Sequence, residues 1–168
     1  MATEILQVNY RYVILDDEPS AAAAALATLT EAGIELTGLS EFPHGPGKSQ
    51  LDLIAPDSET LSKTATAMGL TLSRLKSGFL IRGDDSPGAA VADILHRLAA
   101  AHIGVTSLQA ASAGAGRFAA LLWVKQTDVD EAAKVLDASE LLDDVVDEAS
   151  RESFPASDSP AYAMERLG

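Results

Sequence analysis

Short stretches with strand-like alternation and longer stretches with helical spacing of apolar residues follow each other along the chain. Apolar residues at every second position predict strands, and apolar residues three and four positions apart predict helices. The predicted strands are residues 4–8, 10–15, 51–54, 70–75, 78–81 and 118–124, with two more beginning near Ile34 and Ile103. The predicted helices are residues 20–32, 58–68, 89–101 and 128–136.

The same polar turn occurs twice between a predicted strand and a predicted helix. The first copy, residues 16–20, reads Asp-Asp-Glu-Pro-Ser, and the second, residues 84–88, reads Asp-Asp-Ser-Pro-Gly, with the two prolines 68 positions apart. A proline after polar residues is typical of a helix N-terminus. A Gly-x-Gly-base hairpin also occurs twice, at residues 45–48 and 114–117. The sequence therefore predicts an internal duplication.

Each copy reads β-α-β-β-α-β, which predicts an α+β fold of two ferredoxin-like units packed side by side. We assign residues 1–76 to the first unit and residues 77–138 to the second, with residues 4–8 completing the second unit's sheet. Residues 139–150 are predicted to form an acidic amphipathic helix, and residues 151–168 an extended or disordered tail. Pairing of the units would give a sheet of about eight strands, and an open sheet edge favours a homodimer.

Composition restricts the classes of protein that fit this pattern. Aromatic residues make up only 5% of the chain, so we expect a core of Ala, Leu, Val and Ile. The absence of cysteine excludes disulfides and thiolate chemistry. The net charge is −13, and residues 128–168 hold 12 of the 25 acidic residues, so direct nucleic-acid binding is not expected. With no membrane-spanning apolar stretch and no signal-peptide pattern, we expect a cytoplasmic protein that does not bind a membrane.

Three consecutive features of the second copy point to a known family. They are the acidic-x-x-Pro-Gly turn at residues 84–88, a Leu- and Ile-rich helix, and His102-Ile103-Gly104-Val105 leading into the next strand. In these features the second copy resembles the ACT domain. The whole region of residues 9–138 resembles stand-alone tandem ACT proteins of the glycine-cleavage-repressor type. Residues 152–158, Glu-Ser-Phe-Pro-Ala-Ser-Asp, are similar to a motif of uncharacterised bacterial proteins, which implies no function.

The resemblance implies a regulatory module that binds an amino-acid-like small ligand near the turn between its first strand and first helix. Carried over position by position, the expected ligand-binding residues of the second unit are Asp84, Asp85, Ser86, Gly88, Ala89, Ile103 and Val105. The corresponding residues of the first unit are Asp16, Asp17 and Ser20. Ser20 stands where the motif has glycine.

The chemistry of the residues leaves two interpretations of the 84–88 turn open. Free N–H groups at the helix start could bind a ligand carboxylate while the acidic side chains bind its ammonium group. Alternatively, Asp85 or Ser86 only caps the helix. Gly45-Pro46-Gly47-Lys48-Ser49 is not a phosphate-binding loop, because Phe42 stands where its first glycine is needed.

We expect neither catalysis nor a bound metal or cofactor. The three histidines have no acidic partner at metal-ligand spacing. The adjacent acids of the two turns are predicted to be exposed, so no desolvation adapts them to acid–base work. The sequence favours a non-catalytic regulatory protein that binds an amino-acid-like ligand and acts on a protein partner. The alternative is a protein–protein interaction module of the same fold, acting through its sheet edge, residues 139–150 or the tail.

Overall fold

A computed structural model describes residues 3–84 and 86–141 of the 168-residue chain. Strands and helices alternate through these residues in the predicted α+β order. The strands are β1 (Glu4–Asp16), β2 (Gly38–Pro43), β3 (Lys48–Ile54), β4 (Lys76–Asp84), β5 (Val105–Gly114), β6 (Arg117–Val124) and β7 (Ser139–Glu140). The helices are α1 (Pro19–Glu31), α2 (Ser58–Ala67), α3 (Pro87–Ala100) and α4 (Val129–Leu136), with a 3-10 turn at Gln126–Asp128.

Strand β1 joins the two units. Its first half, from Glu4 to Tyr10, pairs antiparallel with β4, and its second half, from Arg11 to Asp16, pairs antiparallel with β3. The strand order is β2-β3-β1-β4-β6-β5, and β7 lies parallel to β1. One strand therefore serves as the last strand of the second unit's sheet and the first strand of the first unit's sheet.

The register of β1 against β4 reflects the repeat. Asn9 lies opposite Ser77, its counterpart 68 residues later, and the Ser77 hydroxyl donates a hydrogen bond of 2.9 Å to Asn9 Oδ1. The two predicted hairpins also share a backbone feature, although Ala115 has a positive φ that the matching Pro46 cannot adopt. Their glycines all have a positive φ, between 66° and 77°, which favours glycine: Gly45, Gly47, Gly114 and Gly116. The predicted pair of repeated units is confirmed.

Each unit has an apolar core between its sheet and its two helices. In the first unit, Leu29 of α1 and Leu61 of α2 are almost completely buried against Leu53 of β3. In the second unit, Leu98 of α3 is equally buried against Phe79 of β4. Periodic aliphatic residues on each helix thus determine which helix face is buried, as predicted.

A third apolar group, which we call the inter-unit cluster, connects the units. It consists of the buried residues Leu6, Val8, Tyr10, Ile54 and Trp123, with Tyr12, Leu80, Leu121 and Leu141 half-buried against it. Tyr10 and Trp123 meet edge to face, with ring centroids 6.0 Å apart. Because Ile54 comes from the first unit and Trp123 from the second, the cluster packs apolar residues of the two units together.

Asp52 is a buried carboxylate at the centre of the first unit's sheet, only 1% exposed. It lies opposite Tyr12 on one side and Ser40 on the other, and Gln50 Nε2 donates to its Oδ1 at 2.7 Å. Burial raises the pKa of Asp52 above its ordinary value, while the Gln50 hydrogen bond and the charge of Lys76 oppose this rise. In the folded state, the charged form of Asp52 is therefore destabilised relative to its protonated form.

The substitution Asp52→Asn is expected to raise the free energy of unfolding at pH 7 by about 1 kcal/mol, because it removes the buried charge and keeps an acceptor for Gln50. A raised pKa means that the folded state binds the proton more tightly. The wild-type carboxylate therefore destabilises the fold only as the pH rises above 3.8. Urea unfolding should show the gain at pH 7 and none near pH 3. Equal gains at both values would contradict the prediction, and the exposed Asp17→Asn is the control.

Three strand predictions are wrong, including the strand expected near Ile34, which begins only at Gly38. Residues 4–8 and 10–15 form one continuous strand, because Asn9 keeps its pairing with β4. Residues 70–75 form no strand; Leu72 makes a single bridge to Val13. The reason lies at Ser73, whose hydroxyl oxygen accepts a hydrogen bond from the Tyr12 N–H at 3.0 Å in place of a backbone carbonyl. The hydrogen-bonded sheet of the described residues therefore has seven strands, fewer than the eight expected.

The predicted helix over residues 139–150 does not begin at residue 139. Ser139 and Glu140 form β7, because the side of β1 at Leu6 and Gln7 that faces away from β4 offers free backbone partners. Residues 142–168, with the rest of that helix and the whole tail, lie outside the described residues.

Candidate ligand-binding site

The site begins at the turn between β4 and α3. Asp84 ends β4, with Arg117 of β6 as its register partner. Ser86 is the N-cap residue with an extended backbone, and Pro87 begins the helix, where its missing N–H has no intrahelical partner to lose. The N–H groups of the first turn and the positive end of the helix dipole thus lie at this turn. The predicted site residue Asp85 lies outside the described residues.

A cavity of about 470 Å³ opens beside this turn, a volume within the range of roughly 300–1,000 Å³ common for small-ligand pockets. Its walls are α3, the start of β1 and the C-terminal end of α4. The lining residues are Thr3, Ile5, Asp84, Ser86, Ala89, Ala90, Asp93, Ile94, Arg97, Leu136 and Asp137. Ile94 and Leu136 also belong to the second unit's core, so the cavity combines an apolar floor with charged walls.

Arg97 connects α3 to the end of α4 across the cavity. Its Nη2 donates to the carbonyl oxygen of Val135 and lies 3.0 Å from Asp137 Oδ2. Asp137 ends α4 in a left-handed conformation, with φ at 52°. The guanidinium thus satisfies a carbonyl of the last helical turn, which has no partner inside the helix. Arg97 therefore fixes the distance between two walls of the cavity.

Arg97→Ala is expected to lower the free energy of unfolding by about 1–2 kcal/mol, because the Val135 carbonyl loses a charged hydrogen-bond donor. The lost ion pair with Asp137 adds little, since the Asp137 side chain is exposed. Thermal unfolding would show this as a decrease in Tm of several degrees. The control is His96→Ala, an exposed neighbour on the same helix. If both variants melt like the wild type, Arg97 does not hold the cavity walls together.

The cavity combines charges that suit a zwitterionic small molecule. Asp84, Asp93 and Asp137 contribute three carboxylates, and Arg97 contributes one guanidinium, which is shared with Asp137. Carboxylates such as those of Asp84 and Asp93 are the kind of group that accepts hydrogen bonds from a ligand's ammonium group. The N–H groups at the start of α3 can donate to a carboxylate. The apolar floor can contact an aliphatic side chain.

A second cavity, of about 430 Å³, shares Asp84 with the first. Two arginines line it, Arg82 and Arg117, together with Glu4 and Phe118. The hydrogen bond from Arg82 to the Glu4 carboxylate lowers the pKa of Glu4 below its usual range. Asp84 thus lies between the first cavity, whose charged residues are mostly acidic, and the second, which has both acidic and basic residues.

The structure brings together some of the predicted site residues of the second unit. Asp84, Ser86 and Ala89 line the 470 Å³ cavity. Gly88 is exposed in the first turn of α3, where an added Cβ would meet only the Ser86 hydroxyl, at 3.8 Å. Ile103 is 7% exposed and belongs to the second unit's core, and the half-buried Val105 packs against that core. These two residues support the unit without lining the cavity.

The first unit's turn uses its polar groups within the fold. Asp16 forms an ion pair with Lys48 across β1 and β3, and the Asp17 N–H donates to the Gly47 carbonyl oxygen at 3.1 Å. Ser20 is exposed in the first turn of α1. The three predicted residues of this turn therefore lie close together, but the Asp16 carboxylate is already paired with the Lys48 ammonium group.

Sequence reasoning missed Asp93, Arg97 and Asp137. A signal for the first two was present in the repeat: α1 has no charged residue before Glu31, whereas α3 has Asp93 and Arg97 four positions apart, on one helix face with Ala89. A comparison of the two helices could have identified this face. Asp137 had no such signal, since its position depends on how α4 ends.

No protein-family model and no curated protein matches this chain. Similarity is found among solved structures. A protein from Bacteroides thetaiotaomicron has a TM-score of 0.66 at 16% identity, over 79% of this chain and 88% of that chain. The regulatory subunit of aspartate kinase from Thermus thermophilus has a TM-score of 0.54 at 15% identity, over 81% and 93%. The corresponding subunit from Thermus flavus has a TM-score of 0.50 at 16% identity, over 81% and 94%.

These similarities establish the fold, and their low identities establish nothing further. The fold is the tandem ACT fold expected from the sequence. In the described part of this chain, no helix is long and apolar enough to cross a membrane. Residues 3–84 and 86–141 also contain no cluster of three His, Cys, Asp or Glu side chains placed to hold a metal ion.

Proposed function

We propose that this tandem ACT protein is a non-catalytic regulator that binds an amino-acid-like small molecule in the 470 Å³ cavity of its second unit. The observation that carries the proposal is the position of the cavity. It opens at the β4–α3 turn, where the sequence resemblance places the ligand, and three of the expected residues line it. The fold is also that of proteins described as regulatory subunits of aspartate kinase.

The proposed binding mode follows from the charges of the walls. The ligand's ammonium group would contact Asp84 and Asp93, its carboxylate would accept from the N–H groups at the start of α3, and its side chain would lie on Ile94. Among the described residues, the lining supplies carboxylates, hydroxyls and one guanidinium that can hydrogen-bond a small molecule, together with apolar side chains. Binding is therefore the role that this lining favours.

Thermal unfolding against amino acids, nucleotides and small organic acids tests the proposal. A ligand at 100 times its Kd should add about 2.7 kcal/mol, which raises Tm by several degrees. Ala89→Leu fills the cavity from an exposed position and should abolish the shift. Ala92→Leu, also exposed on α3 but not part of the cavity lining, should keep it. A panel without any shift would contradict ligand binding.

The alternative, a protein-interaction module, is supported by β5. This ten-residue strand lies at the edge of the sheet, contains no charged residue and is mostly exposed. Such an edge is a template for pairing with a second copy or a protein partner. Light scattering over a range of concentrations would measure self-association. Dimerisation that Thr106→Lys abolishes, combined with a flat ligand panel, would favour this function.

A further inference from the structure

An apolar groove of about 380 Å³ lies on the sheet face of the second unit that points away from its helices. Leu80 and Leu121 form its centre, Ala111 and Ala119 extend it, and Leu39 of the first unit borders it. Leu39 is 45% exposed. No charged residue is among the groove's lining residues. The groove therefore offers an uncharged surface that the described residues leave partly open.

The groove is continuous with the inter-unit cluster. Leu6, Leu80 and Leu121 are register partners across β1, β4 and β6, so they form one row on the same sheet face. Leu6 is buried, while Leu80 and Leu121 are only half-buried at the open end of this row. With about 4.8 Å between neighbouring strands, the row from Leu6 to Leu121 is about 10 Å long.

The described chain ends at this same face. β7 pairs with β1 at Leu6 and Gln7, and the Leu141 N–H donates to the Gln7 carbonyl oxygen at 3.0 Å. The Leu141 side chain packs against the inter-unit cluster, to which Leu80 and Leu121 also belong. Residue 142 therefore follows directly from an anchor beside the row that leads to the groove.

The next residues have the composition that such a groove requires. Leu142, Val145 and Val146 have the spacing of one helix face, and the opposite face would carry Asp143, Asp144, Asp147 and Glu148. In a helix that follows Leu141, Val145 and Val146 lie about 6–8 Å from Leu141, which brings them to Leu80, about two strand spacings from β7. The acidic side chains would then face water, and the apolar ones would cover Leu80.

We propose that residues 142–150 fold back on their own chain and place Leu142, Val145 and Val146 in the groove. The anchor at Leu141 favours this occupant over a second copy, because a short tether gives an effective concentration in the millimolar range. The docked segment would then cover part of the groove and make that part unavailable to other proteins.

Cysteine cross-linking in the full chain tests this proposal cleanly, because the natural sequence contains no cysteine. The pair Leu80→Cys and Val145→Cys should form an intramolecular disulfide under mild oxidation. Two control pairs keep one partner each. They are Ala24→Cys with Val145→Cys, since Ala24 is exposed on α1, and Leu80→Cys with Asp144→Cys, on the acidic face. We expect the groove pair to react at least about tenfold faster than both, since effective concentration sets the rate.

Peptide mapping on dilute protein distinguishes the outcomes. Equal rates for the groove pair and the Ala24 pair would overturn the proposal, and so would a disulfide between two chains. As a second measurement, the double variant Val145→Ser and Val146→Ser should increase the fluorescence of an added apolar dye severalfold. The matched double variant Asp143→Ser and Asp144→Ser should leave it unchanged. Equal dye fluorescence in both variants would also contradict docking of the apolar face.

Discussion

Val8→Asp is expected to lower the free energy of unfolding by about 4 kcal/mol or more, which is enough to unfold much of the protein. Val8 is 2% exposed in the inter-unit cluster, on the half of β1 that pairs with the second unit. A carboxylate there would be buried without a partner among apolar residues, the most unfavourable environment for a charge. Circular dichroism and urea unfolding would measure the loss.

The neighbouring Asn9→Asp provides the matched control. Asn9 is exposed on the same strand, and an aspartate there still offers an oxygen to the Ser77 hydroxyl. Both variants add one negative charge to β1, but only Val8→Asp buries that charge, and it also removes a buried aliphatic side chain. If Val8→Asp unfolded at the same urea concentration as Asn9→Asp, the inter-unit cluster would not hold the units together.

The sequence predicted the repeated units because local signals specify them. Alternation and helical spacing determined which segments form strands and helices, and the duplicated turns and hairpins determined how the units correspond. Those signals depend on neighbouring residues only. The helices α1 to α4 accordingly begin and end within two residues of their predicted limits.

The errors occurred where pairing between distant segments decides the structure. The continuity of β1 through Asn9 depends on β4, about 68 residues away along the chain. Residues 70–75 have strand-like composition, but the Ser73 hydroxyl takes the place of a backbone acceptor. Ser139 and Glu140 read as the start of a helix, yet the open side of β1 binds them as a strand. Local propensity contains none of this information.

The candidate site was predictable only in part for a similar reason. The turn at Asp84 is a local feature, so its place in the site could be read from the sequence. The far wall, formed by Arg97 and Asp137, depends on the packing of α3 against α4. The resemblance to ACT domains implied a ligand contact at Ile103, but this residue belongs to the second unit's core.

Leu98→Ala is expected to lower the free energy of unfolding by about 3–5 kcal/mol, because the removed atoms leave a cavity in a tightly packed core. Leu98 is 1% exposed on α3 and packs in the second unit's core. Leu95 is on the same helix but is 36% exposed, so Leu95→Ala should cost well under about 1 kcal/mol. A similar loss of stability in both variants would mean that α3 does not bury its Leu98 face in preference to its Leu95 face.

The first unit offers a second form of the same test. Leu29→Ala removes a fully buried side chain of α1 from the other core, so a loss of similar size, about 3–5 kcal/mol, is expected. Because the two cores are separate, the effects should add in the double variant within roughly 0.5 kcal/mol.

Unfolding should nevertheless remain a single transition, since β1 belongs to both sheets. Two transitions in either single variant would show that the units unfold independently despite the strand they share.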